Sequence, residues 1–418
     1  MREILFDVTR LFVRGSRFSP TGIDRVVLAY ARWLLARSDV SLQPVVTVAG
    51  RTLAVPRAVL AEIVEGADLF STAARGGAGA DAAWRALADA LNADPGVAEP
   101  LRAKPVLLQL PDRVSWHANV LARSLWRLRP ARPTPGAVYL NVSHTGLDHP
   151  RVLERLADAG ARIVVMVHDL IPIAFPEYCR PSARARHIRR MDQVLGFAAL
   201  VIANSATTAG DLEAYAGRLG RTPPPIEVAP LGLSADFLSP PPPLRTRRPY
   251  FVCVGTLEAR KNLAVLLALW RRLAEHMGPA APGLVLVGRR GWENESVLDH
   301  LQRSEVVTRL VQEVSDLPDP LLAALISGAS ALLSPSLAEG YDLPVAEALS
   351  LGTPVIASDI PAHRELAAAA TLLDPFDGPA WLGAIEAATG ATTRRPPVAG
   401  PRWEDHFAAL EKALLGPV

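Results

Sequence analysis

Short apolar runs alternate with longer amphipathic segments along the whole chain, and a stretch of consecutive prolines divides the series in two. Alternation of this kind marks βα units wound around a parallel sheet. The first series has runs at 3–8, 42–48, 137–142, 162–167 and 200–203; the second has them at 250–254, 284–287, 331–334 and 355–357. Each series predicts its own Rossmann-like, doubly wound parallel sheet. Pro240 to Pro243 can continue neither a helix nor a central strand, so 239–249 reads as a stiff, extended linker. The expected domains are 1–238 and 250–400, with a cleft between them. A second break at 392–401 precedes a segment of helical period, and 401–418 is expected to form a helix that packs back on the first domain. Residues 75–95, rich in Ala and Gly, are expected to be a partly helical excursion from the first domain.

Hydrophobic residues make up 50% of the chain and charged residues 21%, which predicts large packed cores rather than disorder. A formal charge of only +2 gives no whole-molecule field to gather nucleic acid, so no nucleic-acid partner is expected. Cys179 and Cys253 have neither a disulfide framework nor zinc spacing. The first apolar run is too short for a signal peptide and is interrupted by Asp7 and Arg10, and no window approaches a membrane span. The expected address is cytoplasmic. Two basic stretches, 116–132 and the arginine run from Arg180 to Arg190, give an expectation of peripheral contact with an anionic inner membrane face; a solvated helix surface is the plainer reading of both.

The chemistry concentrates in four places. In 334–359 a strand delivers Glu339 to a glycine, Gly340; Pro344 suits the first helical position, and Glu347 is expected in the helix's first turn. Free amides around Asp342 to Val345 would face an anionic or hydroxyl-rich ligand, and two carboxylates can accept vicinal hydroxyls. On spacing alone, acids that merely decorate a helix start are the commoner explanation. In 250–262 a buried strand runs into Gly255 and Thr256, with Arg260, Lys261 and Asn262 at a helix entrance, an arrangement suited to pyrophosphate. Gly288 to Trp292, containing Arg289, follows another apolar run, and Ser315 to Pro318 forms a turn. His168 and Asp169 end the run at 162–167, where polar residues face the ligand crevice of an open α/β sheet.

Glu339-Gly-Tyr-Asp-Leu-Pro-Val-Ala-Glu347, with Ser334-Pro-Ser before it and Gly352-Thr-Pro-Val-Ile-Ala-Ser-Asp after it, resembles the E-x7-E signature of glycosyltransferase family 4. His168-Asp169-Leu-Ile-Pro is similar to that family's first-domain motif. The resemblance implies a GT-B fold, α/β with two Rossmann-like domains around a cleft. It also implies retaining transfer of a hexose, mannose or similar, from a nucleotide diphosphate sugar to a glycan or lipid-linked acceptor of surface polysaccharide assembly. By this resemblance Glu339, His168, Lys261 and Arg260 are the expected catalytic set. Glu347 would hold the donor ribose, with Gly255, Thr256, Gly340, Tyr341, Asp342, Leu343, Arg289, Ser315 and Gly22 completing the donor site. His144, Thr145 and Asp169 are expected on the acceptor side. Thr256 stands where the family carries an arginine, so Arg260 is read as the substitute cation.

No Asp-x-Asp motif lies at a strand end to bridge a diphosphate through a cation, so neither a metal nor another cofactor is expected. Two rival readings share the fold: an epimerase or phosphorylase, and a non-catalytic carbohydrate-binding scaffold.

Overall fold

The computed structural model describes residues 1–14, 22–76, 78–94, 101–102, 127–239, 242–292, 294–366, 369–389 and 396–416. Among these, two sheets form. The N-terminal sheet comprises β1 (Arg2–Asp7), β2 (Val40–Val48), β3 (Arg51–Ala54), β4 (Arg129–Pro130), β5 (Val138–Asn141), β6 (Arg162–Val167), β7 (Leu200–Ala203) and β8 (Ile226–Val228), in the order β4-β3-β2-β1-β5-β6-β7-β8. The C-terminal sheet comprises β9 (Tyr250–Val254), β10 (Gly283–Val287), β11 (Val311–Val314), β12 (Ala331–Ser334), β13 (Val355–Ser358) and β14 (Thr371–Leu373), in the order β11-β10-β9-β12-β13-β14. Helices lie on both faces, which is why strands such as β6 are buried along nearly their whole length and read as unbroken apolar runs.

The C-terminal sheet is parallel throughout. The N-terminal sheet corrects the all-parallel expectation: β3 runs antiparallel to β2, and β4 antiparallel to β3. The cause is local. Ala49 and Gly50 both take positive φ, 46° and 73°, giving the tight reversal that closes a hairpin and turns the chain back along the sheet edge.

In each sheet the strand order reverses beside the first strand, between β1 and β5 and between β9 and β12. Ligand crevices of open α/β sheets form at such switch points. The loops leaving these strands carry the residues singled out above, and the two lobes face each other there. Apolar packing continues across the lobes: Val26, Phe237, Tyr341 and Val345 belong to one buried cluster.

Of the linker, residues 239 and 242–249 are described, and the latter are anchored: the Leu244 amide donates to the Ala324 carbonyl at 3.0 Å, and the Arg247 amide to Asn92 Oδ1 at 2.8 Å. The Ala- and Gly-rich excursion falls in two helices, Arg57–Gly76 and Ala78–Asn92. The last helix, Trp403–Leu415, lies against the N-terminal lobe. Phe407 stacks on Trp33 with ring centroids 4.5 Å apart, His406 Nε2 meets Tyr30 Oη at 2.8 Å, and Arg162 Nη1 donates to the Ala413 carbonyl. The basic stretch at 116–126 lies outside the described residues.

Candidate active site

Glu339 sits on the loop leaving β12, and its carboxylate faces two cations. Arg260 Nη1 lies 2.5 Å from Oε2, and Lys261 Nζ lies 2.7 Å from Oε1. Both cations come from the short turn Ala259–Lys261 after β9, where Lys261 is 4% exposed. Burial pushes the Glu339 carboxyl up, but Arg260 and Lys261 outweigh it and hold it below the ordinary carboxylate range. Gly255, with φ at 145°, makes room for this arrangement, since a Cβ there would stand 2.7 Å from Lys261 Cε.

Asp342 extends the network. Its Oδ1 lies 3.7 Å from Lys261 Nζ, while Oδ2 accepts from Ser334 Oγ at 2.6 Å and from His363 Nε2 at 3.0 Å. His363 Nδ1 donates to the Ser358 carbonyl at 2.8 Å. A carboxylate and a carbonyl can only accept, so both ring nitrogens of His363 carry protons and the ring is an imidazolium. Burial opposes that charge, but Asp342 outweighs it and raises the His363 pKa. Asp342 in turn is held well below its usual range: burial pushes it up, and Lys261 and His363 pull it down further.

The helix after this loop, Leu343–Ser350, begins with Asp342 in the left-handed region at φ 67°. Pro344 is its second residue rather than its first, and Glu347 lies past the first turn, 2% exposed. An acid that only decorates a helix start would sit in the first turn and face solvent; Glu347 does neither. Arg25 Nη1, from the opposite lobe, donates to Glu347 Oε1 at 2.7 Å, and Arg25 Nη2 pairs with Asp319. Burial pushes the Glu347 carboxyl up to about 7 despite Arg25.

The N-terminal lobe meets this loop backbone to backbone. A Cβ on Gly340 would overlap the His168 carbonyl oxygen, and the Gly340 carbonyl accepts from Ser205 Oγ at 2.6 Å and Thr208 Oγ1 at 3.3 Å. Gly22, which opens the helix Gly22–Ala36, lies beside Leu343. Glu365 of the C-terminal lobe accepts from the Ala206 and Thr207 amides at 2.8 and 3.0 Å, capping an N-terminal-lobe helix. Residues 20 and 21, which precede Gly22, lie outside the described residues.

His168 Nε2 donates to the Val142 carbonyl at 2.8 Å, which fixes the tautomer of a buried ring. Its ring lies 5.3 Å from that of His144, which lies 5.6 Å from that of His187. Burial, reinforced for His144 by the neighbouring imidazoles, lowers all three. Asp169 Oδ1 accepts from the Ile171 amide, and Thr145 is held through Asn141 and Ser143.

The structure therefore gathers Gly255, Arg260, Lys261, Glu339, Gly340, Asp342, Leu343 and Glu347 on one side of the cleft, with Gly22, His168, Asp169 and His144 opposite. Thr256 and Tyr341 flank the group: the Gly291 turn packs on the Thr256 methyl, and Tyr341 is 5% exposed. Arg260 is more constrained than the substitute-cation reading supposed, since it also bonds Glu258 and the Ala338 carbonyl. Arg289 is engaged by Asp316, beside Ser315. Arg25 and His363 carried no role in the sequence reading; Arg25's spacing one helical turn beyond Gly22 was the available signal.

Residues 248–389 match the model for "Glycosyl transferases group 1". This segment is similar to the domains of that family. The fold that carries it is GT-B. Over 230 residues the chain is 30% identical to the O-antigen chain mannosyltransferase B of Escherichia coli, covering 52% of this chain and 58% of that protein. It is 28% identical over 234 residues to the serotype-specific mannosyltransferase WbdA of Escherichia coli, covering 51% of this chain and 28% of the relative. The chain thus spans well under two thirds of either relative. A sucrose-phosphate synthase from Thermosynechococcus elongatus superposes with a TM-score of 0.61 at 16% identity, covering 99% of this chain and 98% of that one, which establishes the shared architecture. The matched segment contains Glu339, Glu347, Lys261 and Arg260, and the lobe facing it contributes Arg25 and His168.

Proposed function

We propose that this chain is a retaining glycosyltransferase moving a hexose, mannose or a close relative, from a nucleoside diphosphate to a glycan or lipid-linked acceptor in surface polysaccharide assembly. The observation that carries the reading is the network of Glu339, Lys261 and Asp342 at the crevice ends of β9 and β12, set against the His168–Asp169 loop of the other lobe. In the proposed reaction the acceptor hydroxyl forms its bond to the anomeric carbon as the bond to the diphosphate breaks, on the same face. The departing phosphate oxygen takes up the hydroxyl proton. Lys261 and the amides at the start of Leu343–Ser350 would meet the charge building on that oxygen, which such fixed donors stabilise by several kcal/mol. Glu347 would hold the ribose hydroxyls, and Glu339, kept ionised by its two cations, would orient the transferred sugar. No metal enters the scheme. The two relatives are mannosyltransferases by name, which supports mannose as the transferred sugar.

On the acceptor side the reading has a lipid-linked or free glycan entering beside His144, Thr145 and Asp169. The helix Ala183–Phe197 exposes Arg184, Arg186 and Arg189, which would favour an anionic membrane surface. No helix of the described residues is long and apolar enough to cross a membrane.

The test is transfer from a panel of nucleoside diphosphate sugars, GDP-mannose first, with EDTA present and product anomers assigned by NMR. Retained configuration in EDTA is expected. Inversion, dependence on added magnesium, or hydrolysis and epimerisation alone would overturn the proposal.

A further inference from the structure

Arg25 is the point where the N-terminal lobe touches the carboxylate assigned above to the donor ribose. It lies one turn into the Gly22–Ala36 helix and crosses the cleft to Glu347 Oε1 at 2.7 Å. A second nitrogen pairs with Asp319, and the guanidinium carbon lies 6.0 Å from the Phe237 ring centroid. The Glu347 side chain is 3% exposed. A carboxylate that deep sheds its hydration and takes up a proton unless a cation faces it. The other charged groups facing Glu347 are the acids Asp319 and Asp342, and Asp236 faces Arg25. Arg25 therefore supplies the compensating charge. It engages Oε1, and among the described residues no hydrogen bond reaches Oε2. A carboxylate offers about four lone-pair directions, so two hydroxyl donors can still be accepted with Arg25 in place.

We propose that Arg25 is a positioning residue of the donor site: it orients Glu347 from the opposite lobe, offsets part of the cost of its buried charge and leaves the second oxygen for the ribose diol, so ribose recognition depends on lobe closure. The inference rests on the reading of Glu347 as the ribose acceptor.

The experiment measures binding of GDP and UDP, and of their 2′,3′-dideoxy analogues, to the wild-type chain, Arg25→Gln, Arg25→Lys and Glu347→Gln across the pH range around neutrality. Wild type is expected to favour the ribose form by about tenfold, the size of a hydrogen bond to a charged group. Arg25→Gln is expected to lose that preference at neutral pH and regain it only as alkali ionises Glu347. Arg25→Lys should keep part of it. The dideoxy nucleotides should bind wild type and Arg25→Gln alike, which shows an intact fold. If Arg25→Gln keeps the wild-type preference and pH dependence, or binds the ribose form more tightly, the proposal is overturned while the donor-site reading stands. If wild type shows no preference for ribose and Glu347→Gln binds as wild type does, the donor-site reading falls and takes this proposal with it.

Discussion

Replacing Gly340 by alanine is the sharpest perturbation of lobe closure. The added Cβ would overlap the carbonyl oxygen of His168 and stand 3.0 Å from Asp169 Cβ. Restoring ordinary contact distances requires the β12 loop and the end of β6 to part by ~1 Å. Separation weakens the hydrogen bonds from Ser205 Oγ and Thr208 Oγ1 to the Gly340 carbonyl, each contributing about 1 kcal/mol, on top of an overpacking cost of about 1–3 kcal/mol. The penalty falls on the contact between lobes, not on either core. A displacement of ~1 Å between reacting groups lowers a rate by about 100-fold. Gly340→Ala is therefore expected to transfer sugar about 100-fold more slowly. Its affinity for a nucleoside diphosphate should fall by no more than about tenfold, the share Arg25 contributes across the cleft. Steady-state transfer, calorimetric nucleotide binding and thermal unfolding together separate these effects. Wild-type turnover by Gly340→Ala would refute the argument that this backbone contact belongs to the productive state.

Lys261→Met removes the buried cation 2.7 Å from Glu339 and is expected to slow transfer by about 100-fold or more, with binding of the diphosphate weakened and binding of the bare nucleoside unchanged; equal losses for both ligands would contradict a phosphate role. The Glu347 carboxyl, raised by burial from 4.5 to about 7, binds its proton more tightly in the folded chain, so its contribution to stability is full below about pH 4.5 and is lost as pH rises through about 7. At about 1.4 kcal/mol per unit, the wild-type chain should lose about 3 kcal/mol across that window that Glu347→Gln does not, as read by urea unfolding at either end; parallel pH profiles would count against it. Glu365→Ala removes the acceptor that caps the Ala206 and Thr207 amides across the lobes, and should cost about 1 kcal/mol of stability and open the lobes in small-angle scattering. An unchanged scattering profile would show that other contacts set closure.

The fold was legible where strands lie at the sheet centres, because burial on both faces forces unbroken apolar runs such as Ile163 to Val167. Edge strands were not. β11 reads Val-Gln-Glu-Val, and its buried Gln312 and Glu313 are tolerated because the Leu101 amide bonds Gln312 and Arg290 and Arg102 pair with Glu313. β14 is a short edge strand with no fully buried residue. The site was legible wherever neighbours in sequence are neighbours in space, as with Arg260 and Lys261. Contacts closed by topology left no such trace: Arg25 and Glu347 meet across 322 positions, and nothing local to either announces the other. The displacement of Glu347 from the first helical turn to the second has a local cause, since the helix begins at Leu343, directly after Asp342 in the left-handed region and one residue before Pro344.

Where a nucleotide sugar binds is read most directly from a crystal structure of the chain with a nucleoside diphosphate sugar, GDP-mannose first. The ribose diol is expected on Glu347 beside Arg25, the diphosphate at Lys261 and the sugar against Glu339. A nucleotide seated away from these three residues, or oriented with its sugar turned from Glu339, would contradict that placement.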